Sequence, residues 1–507
     1  MESIIDQPTN SQDVAEVPES LFTMPTEVPR PVTGTECHCA ACRLTIRVAA
    51  SAAPPVCPFC QARLTTKTID FEPDTRHALD DDQDSRAAVP NYNRRHPLLL
   101  NIFGILGIVL LSVAIYLKLS NIEYYWYQPF VNTYSLAVGA FILSRFLLAA
   151  LYTPPADTGF EPTVSVVVAC RNEEDSIFKT VSRIYAEGYP HNKLEVVIVN
   201  DGSTDQTLAE MIRAQSRFPD LVIVDFEENK GKRHGMAVGA LLARSEMLIY
   251  VDSDSFLMPG AVRKILQGLA DPTVAAVAGH TDVENVRVNM LTKMQDVRYY
   301  VSYRVMKAAE SLFGAVSCCP GCFSAYRKSS VLNVLDRWLY QRYLGRYATY
   351  GDDRSLTNFL LRHYRVLYDD EALATTIVPE RWKKYAVQQC RWKRSWIREM
   401  FVAGRFMFRK HPIAAISWYG MMVLPMLAPL VMFSALFLGP VLLGQPSYFY
   451  IGGIVVVTLL WSLYYLKKTG RPHWWAGFLF MITYIGFFSW QGYYAIATVR
   501  KTTWGTR

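Results

Sequence analysis

Apolar residues recur along this chain in two kinds of block. Long stretches at 98–117, 134–151, 416–438, 451–466 and 474–497 have the pattern of helices that enter lipid. Short runs at 164–169, 194–199, 221–224 and 247–251 alternate instead with helix-like segments. A strand buried on both faces reads as such an uninterrupted run, so the region 163–377 is expected to form an α/β domain with a mainly parallel sheet. Ligands of such domains bind at the carboxyl ends of the strands.

These blocks divide the chain. Residues 1–36 are polar and Pro-rich, carry no visible signal peptide, and are expected to be disordered. A cysteine-rich ribbon at 37–68 is followed by an acidic linker at 69–97, with Asp80, Asp81, Asp82 and Asp84. Two transmembrane helices are expected within 98–152, the second interrupted by Arg145, then the α/β domain at 160–380. In 381–411, Trp392, Trp396 and Met400 recur among Arg391, Lys393, Arg394 and Arg398, the pattern of an amphipathic helix at a membrane surface. The segment 412–499 holds two further transmembrane helices and one apolar stretch flanked by cations at both ends, Lys467, Lys468 and Arg471 before it and Arg500, Lys501 and Arg507 after it. Because positive charge marks the cytosolic side, that last stretch is expected to be re-entrant or interfacial, with the tail 500–507 cytosolic.

Composition agrees with a soluble domain flanked by spans: 51% of residues are hydrophobic and 19% charged, with a net charge of +7. The cations sit beside apolar segments and are not interleaved with aromatics in the way of a single-strand binder, which argues against a nucleic-acid partner. Of ten cysteines, Cys39, Cys42, Cys57 and Cys60 form two C-x-x-C pairs separated by 14 residues. That spacing suits a structural Zn²⁺; a disulfide pair is the alternative reading. Zinc thiolates imply a reducing compartment, hence a cytosolic N-terminus.

The chemistry gathers after the short runs. Asn200-Asp201-Gly202 places a carboxylate where a strand ends, suited to a nucleoside's donors. Lys230-Gly231-Lys232-Arg233-His234 groups cations that can neutralise a diphosphate. Asp252-Ser253-Asp254 converges two carboxylates that repel unless a cation intervenes, and oxygen ligands point to Mg²⁺ or Mn²⁺. Gly351-Asp352-Asp353-Arg354 supplies a second pair, one member of which can serve as general base toward an acceptor hydroxyl. Gln388-Gln389-Cys390-Arg391-Trp392 offers a guanidinium fork for phosphate and an indole face for a sugar ring.

In this order the motifs resemble the processive, inverting family 2 glycosyltransferases, which include cellulose, chitin and hyaluronan synthases. The stretches Gly351-Asp-Asp-Arg-Ser-Leu-Thr-Asn358 and Gln388-Gln-Cys-Arg-Trp-Lys-Arg-Ser395 look most like the hyaluronan synthases. The resemblance implies a cytosolic GT-A-like domain inserted between transmembrane helices of a multi-pass plasma-membrane protein, with the ribbon added at its N-terminus. It implies UDP-sugar donors and a growing polysaccharide as partners, alongside membrane lipid. By similarity Glu173 and Asp201 contact uridine, Lys232 the diphosphate, Asp252 and Asp254 the donor and its metal, and Asp353, with Asp352 beside it, supplies the base. Gln388, Arg391 and Trp392 then floor the acceptor site, and Trp504 belongs to a tail that closes over UDP. Cys319-Pro-Gly-Cys322 departs from the hyaluronan pattern towards chitin synthases, and the ribbon is a further departure. The expected reaction is polymerisation from UDP-GlcNAc and UDP-GlcA with export of the chain. A chitin or chitooligosaccharide synthase, or a non-processive transferase acting on a lipid, are the alternatives.

Overall fold

In a computed structural model, residues 32–49, 56–58, 60–71, 128–444 and 447–501 are described, with a few positions between 105 and 116. Most of the expected first span at 98–117, the acidic linker from residue 72 on, the tail 1–31 and Trp504 lie outside the described residues.

An eleven-stranded sheet organises the chain, in the order β3-β1-β2-β6-β5-β4-β7-β10-β9-β13-β8. Its strands are β1 Val32–Cys39, β2 Leu44–Ala49, β3 Thr65–Phe71, β4 Val164–Cys170, β5 Leu194–Asn200 and β6 Val222–Phe226. They continue with β7 Met247–Val251, β8 Ser255–Leu257, β9 Val274–Val283, β10 Phe323–Arg327 and β13 Arg365–Thr376. A separate small ribbon pairs β11 Arg342–Tyr343 with β12 Arg346–Tyr347. The four apolar runs become β4 to β7, and these strands are parallel to their sheet neighbours β6-β5-β4-β7. The sheet as a whole is mixed: β10 enters antiparallel between β7 and β9, β8 pairs antiparallel with β13, and the cysteine-rich strands join antiparallel at β6.

Both faces of the sheet are covered. Along β4 every residue is buried, with Val167 and Ala169 in one core and Val164, Val166 and Val168 in the other. Alternation of side chains across a strand thus feeds two cores from one apolar run. The cysteine-rich module is not a separate bead. β2 pairs antiparallel with β6, Leu44 opposite Phe226 and Ile46 opposite Val224. Leu44, Ile46 and Val48 enter the same core as Val222 and Val224.

Three described helices are long and apolar enough to cross a membrane: Pro129–Ala150, Pro412–Leu442 and Tyr450–Thr469. Ile416, Val423 and Leu430 project outward from the second. The stretch 474–497 is broken into Ala476–Thr483, a π-turn at Tyr484–Phe488 and Gln491–Ala497. Helix Met290–Val301 joins the sheet domain to these segments. Val297, Tyr300 and Val301 pack with Tyr465, Ala476 and Phe480. Beneath them the buried Asp296 carboxylate accepts from Arg471 Nη1 at 2.9 Å and from the Tyr465 hydroxyl, with His473 Nε2 at 2.7 Å.

Candidate active site

The carboxyl ends of β4, β5 and β7 open on a cavity of about 1690 Å³. On its sheet side, Asp201 follows directly on β5. Its carboxylate accepts from the Lys230 N–H at 2.7 Å and the Gly231 N–H at 3.1 Å. Burial raises the Asp201 pKa, and these two backbone donors oppose the rise. Lys232 starts helix Lys232–Leu242 and its ammonium pairs with Asp252. Burial alone would lower its pKa, but the Asp252 carboxylate outweighs burial and raises it. Asp252 and Asp254 both face the cavity just beyond β7. Gly321 presses against Asp252: a Cβ there would stand 2.9 Å from Oδ1 and 3.0 Å from Oδ2. The Cys-Pro-Gly-Cys turn therefore needs glycine at this position.

Across the cavity, helix Asp352–Leu361 begins at Gly351, whose φ is +73°. A Cβ on Gly351 would fall 1.7 Å from Ser395 Oγ, so the Gly-Asp-Asp turn lies directly against helix Trp382–Gly404. The two neighbouring carboxylates then part. Asp352 is buried and accepts from Arg233 Nε at 2.7 Å, while Asp353 faces the cavity with Cys318 Sγ 3.7 Å from its Oδ2. Burial and the Asp353 charge push the Cys318 thiol up to about 11, so it stays protonated and donates at neutral pH.

Helix Trp382–Gly404 brings Gln388, Arg391 and Trp392 to the same cavity. The Trp392 ring lies 6.4 Å from Tyr299, centroid to centroid, and the Arg298 guanidinium sits 5.6 Å from it. Beyond Trp392 the wall is built by Met421, Pro425 and Met426 of the Pro412–Phe433 helix, and by Tyr484, Ser489 and Gly492 of the broken segment.

Residues 165–335 match the family described as Glycosyl transferase family 2. A hyaluronan synthase of Streptococcus pyogenes serotype M3 is 31% identical over 411 residues, covering 79% of this chain and 95% of that protein. The chain belongs to the family 2 glycosyltransferases, as a relative of the hyaluronan synthases. An N-acetylglucosaminyltransferase of Rhizobium meliloti is 33% identical over 282 residues, 54% of this chain and 66% of its own length. Among solved structures, a mannosyltransferase from Pyrobaculum calidifontis in complex with GDP-Man and Mn²⁺ aligns at 20% identity and TM-score 0.49, over 74% of this chain and all of that one.

In this glycosyltransferase, one cavity gathers Asp201, Lys232, Asp252, Asp254, Asp352, Asp353, Gln388, Arg391 and Trp392. Glu173 stands outside its lining. The Glu173 Oε2 accepts from Ser176 Oγ at 2.9 Å, while Arg171 and Asp175 on either side face the cavity. Arg145 is buried against Ser144 and Phe141 and contributes to a separate small pocket with Glu310 and Trp418. Sequence reasoning missed Arg298, Tyr299 and Cys318 as cavity residues. Arg233 was noted only as one of a group of cations, and its pairing with Asp352 spans 119 residues.

Cys39, Cys42, Cys57 and Cys60 also converge, their sulfurs all within 4.8 Å of one another. The Cys39–Cys60 and Cys42–Cys57 sulfur separations are 3.6 and 3.8 Å. A tetrahedral Zn²⁺ with sulfur ligands at about 2.3 Å needs sulfur pairs about 3.8 Å apart, whereas a disulfide needs about 2.05 Å. The Cys42 N–H donates to Cys39 Sγ at 3.4 Å. Cys37 and His38 are not part of this group.

Proposed function

We propose that this protein is a processive, inverting polysaccharide synthase that uses UDP-sugars, with the UDP-GlcNAc and UDP-GlcA pair of the hyaluronan synthases as its donors. The observation that carries this reading is the continuity of one cavity from Asp201 to Met421, Pro425 and Met426 of a helix apolar enough to cross lipid. A site that released each product to solvent would not need that wall.

Asp201 recognises the uridine, with Arg171 and Asp175 as neighbours on the cavity wall. Lys232 and Arg391 offset diphosphate charge. Asp252 and Asp254 hold Mg²⁺ or Mn²⁺, which, when bound, neutralises the leaving diphosphate. They suit such an ion, since two carboxylates face one space. Asp353 takes the proton of the acceptor hydroxyl as that oxygen attacks the anomeric carbon, so the configuration inverts. Asp352 is held by Arg233 and sets the helix that presents Asp353. Trp392 stacks under the sugar at the acceptor end, and Gln388 offers it hydrogen bonds. The catalytic domain and the N-terminal module lie on the cytosolic side of the plasma membrane, and the module holds structural Zn²⁺ through its four cysteines. The tail carrying Trp504 closes over UDP from the same side.

A second reading is favoured by the Rhizobium relative and by the Cys-Pro-Gly-Cys turn: synthesis of chitin or chitooligosaccharide from UDP-GlcNAc alone. Purified protein given each donor singly and then both separates the two. Polymer only with both donors supports the first reading, and polymer from UDP-GlcNAc alone supports the second. A single sugar added to lipid refutes processive synthesis.

A further inference from the structure

Among the described residues, the cysteine module touches the donor side of the cavity through the loop 227–231. β2 lies along β6, and residues 227–231 leave β6 directly for the cavity. The Glu227 N–H donates to the Arg43 carbonyl at 3.2 Å, and Arg43 Nη1 pairs with Glu228 Oε1 at 2.7 Å. Lys230 makes the decisive link. Its ammonium donates to the carbonyl oxygen of Cys42, while its own N–H donates to Asp201 Oδ1 at 2.7 Å. One residue thus grips a metal-ligand turn with its side chain and the nucleotide-site carboxylate with its backbone. The Cys42 carbonyl is fixed by the turn Cys39–Cys42, whose shape is set when both thiolates share one ion. Loss of the ion would release the two thiolates that shape this turn, and with it loosen the acceptor that anchors Lys230.

We propose that Zn²⁺ loading of the four-cysteine module fixes loop 227–231 and thereby sets the affinity of the donor-nucleotide site, with Lys230 as the positioning residue that carries the coupling. This rests on the reading of Asp201 as a nucleotide ligand. The coupling is energetic and local. Loss of one charge-assisted hydrogen bond is expected to weaken binding about tenfold.

The test uses the full chain in detergent or nanodiscs, zinc-loaded and then stripped with a zinc chelator, with Mg²⁺ restored afterwards. Amide exchange of 227–231 is read without nucleotide, with β5 as the reference for an intact fold, and UDP binding is read at fixed Mg²⁺. Zinc removal is expected to speed exchange of the loop and weaken UDP about tenfold in the natural protein. In Lys230→Met the loop exchanges faster even with zinc present, and zinc removal adds less than about twofold because the link is already cut. Lys230→Arg, which keeps a donor for the Cys42 carbonyl, restores slow exchange. If stripping zinc also unfolds β5, the zinc-loaded Lys230→Met and Lys230→Arg comparison decides alone. Loop exchange indifferent to zinc and to Lys230→Met overturns the coupling. Equal weakening of UDP by zinc removal in the natural protein and in Lys230→Met overturns the role of Lys230. Absence of UDP binding in every form overturns the donor reading and the affinity arm with it, whereas the exchange result stands apart.

Discussion

Replacing Arg233 by methionine tests how the two sides of the cavity are held together. Arg233 and Asp352 are both nearly inaccessible, at 4% and 5% exposure, and meet at 2.7 Å. Arg233 also donates to the Trp338 carbonyl at 2.7 Å and to Gln341 Oε1 at 3.1 Å. Gln341 passes the network on to Glu399 at 3.0 Å, and Glu399 binds Arg398 at 2.8 Å. Arg233→Met leaves the Asp352 carboxylate buried without its cation, which costs about 3–5 kcal/mol. For a domain of this size that lowers the melting temperature by roughly 6–20 °C. Adding Asp352→Asn removes the stranded charge, so the double variant should recover most of the loss. Tryptophan-fluorescence melting of all three proteins in one detergent measures the effect, and UDP binding reports whether the donor side survives. A single variant that melts with the natural protein, or a double variant no more stable than the single, would refute the reasoning.

Three further outcomes follow from the same geometry. Asp353→Asn should cut turnover by about 10²–10⁴-fold while UDP binds normally, because the base is lost and the donor site is untouched; full turnover would sink the assignment. Gly321→Ala pushes a methyl against both Asp252 oxygens, so the Mg²⁺ or Mn²⁺ concentration for half-maximal rate should rise several-fold, and an unchanged metal dependence would contradict the placement of that ion. Glu187 is buried, and burial, opposed by the Val262 and Tyr189 backbone donors, raises its pKa to about 7. The folded form therefore holds the proton longer than the unfolded form, and the stability this contributes at low pH is lost as pH rises from about 4.5 to about 7. That loss amounts to on the order of 3 kcal/mol. Melting of Glu187→Gln should be flatter than that of the natural protein across this window, and parallel curves would count against it.

The parts of the fold that were legible in the sequence are those where one physical rule leaves an unbroken trace. β4 to β7 are buried on both faces, so their apolar runs stand out, and the carboxylates that follow β5 and β7 inherit their positions from the ends of those runs. The antiparallel strand β10 leaves no such trace, since Phe323–Arg327 is short and mixes Phe and Tyr with Ser and Arg. The join between β2 and β6 was equally hidden, because it pairs segments about 180 residues apart and the cysteines draw attention to metal instead. Trp392 was visible through its motif, but the cavity's far wall was not. Met421, Pro425 and Met426 read as ordinary lipid-facing residues until the helix is placed. The break at Tyr484–Phe488 shows the same limit, as charge flanking signalled that 474–497 was unusual without showing where its helix changes pitch. Glu173 lies in a turn that its motif marked, and its neighbours Arg171 and Asp175 line the cavity.

The most direct measurement is where the product goes. Sealed vesicles carrying the protein with its catalytic side outward, supplied with UDP-GlcNAc and UDP-GlcA, should accumulate long polymer that is protected from added glycosidase until detergent opens the membrane. Short products, or polymer digested without detergent, would contradict a cavity that passes its chain from Trp392 into the bilayer.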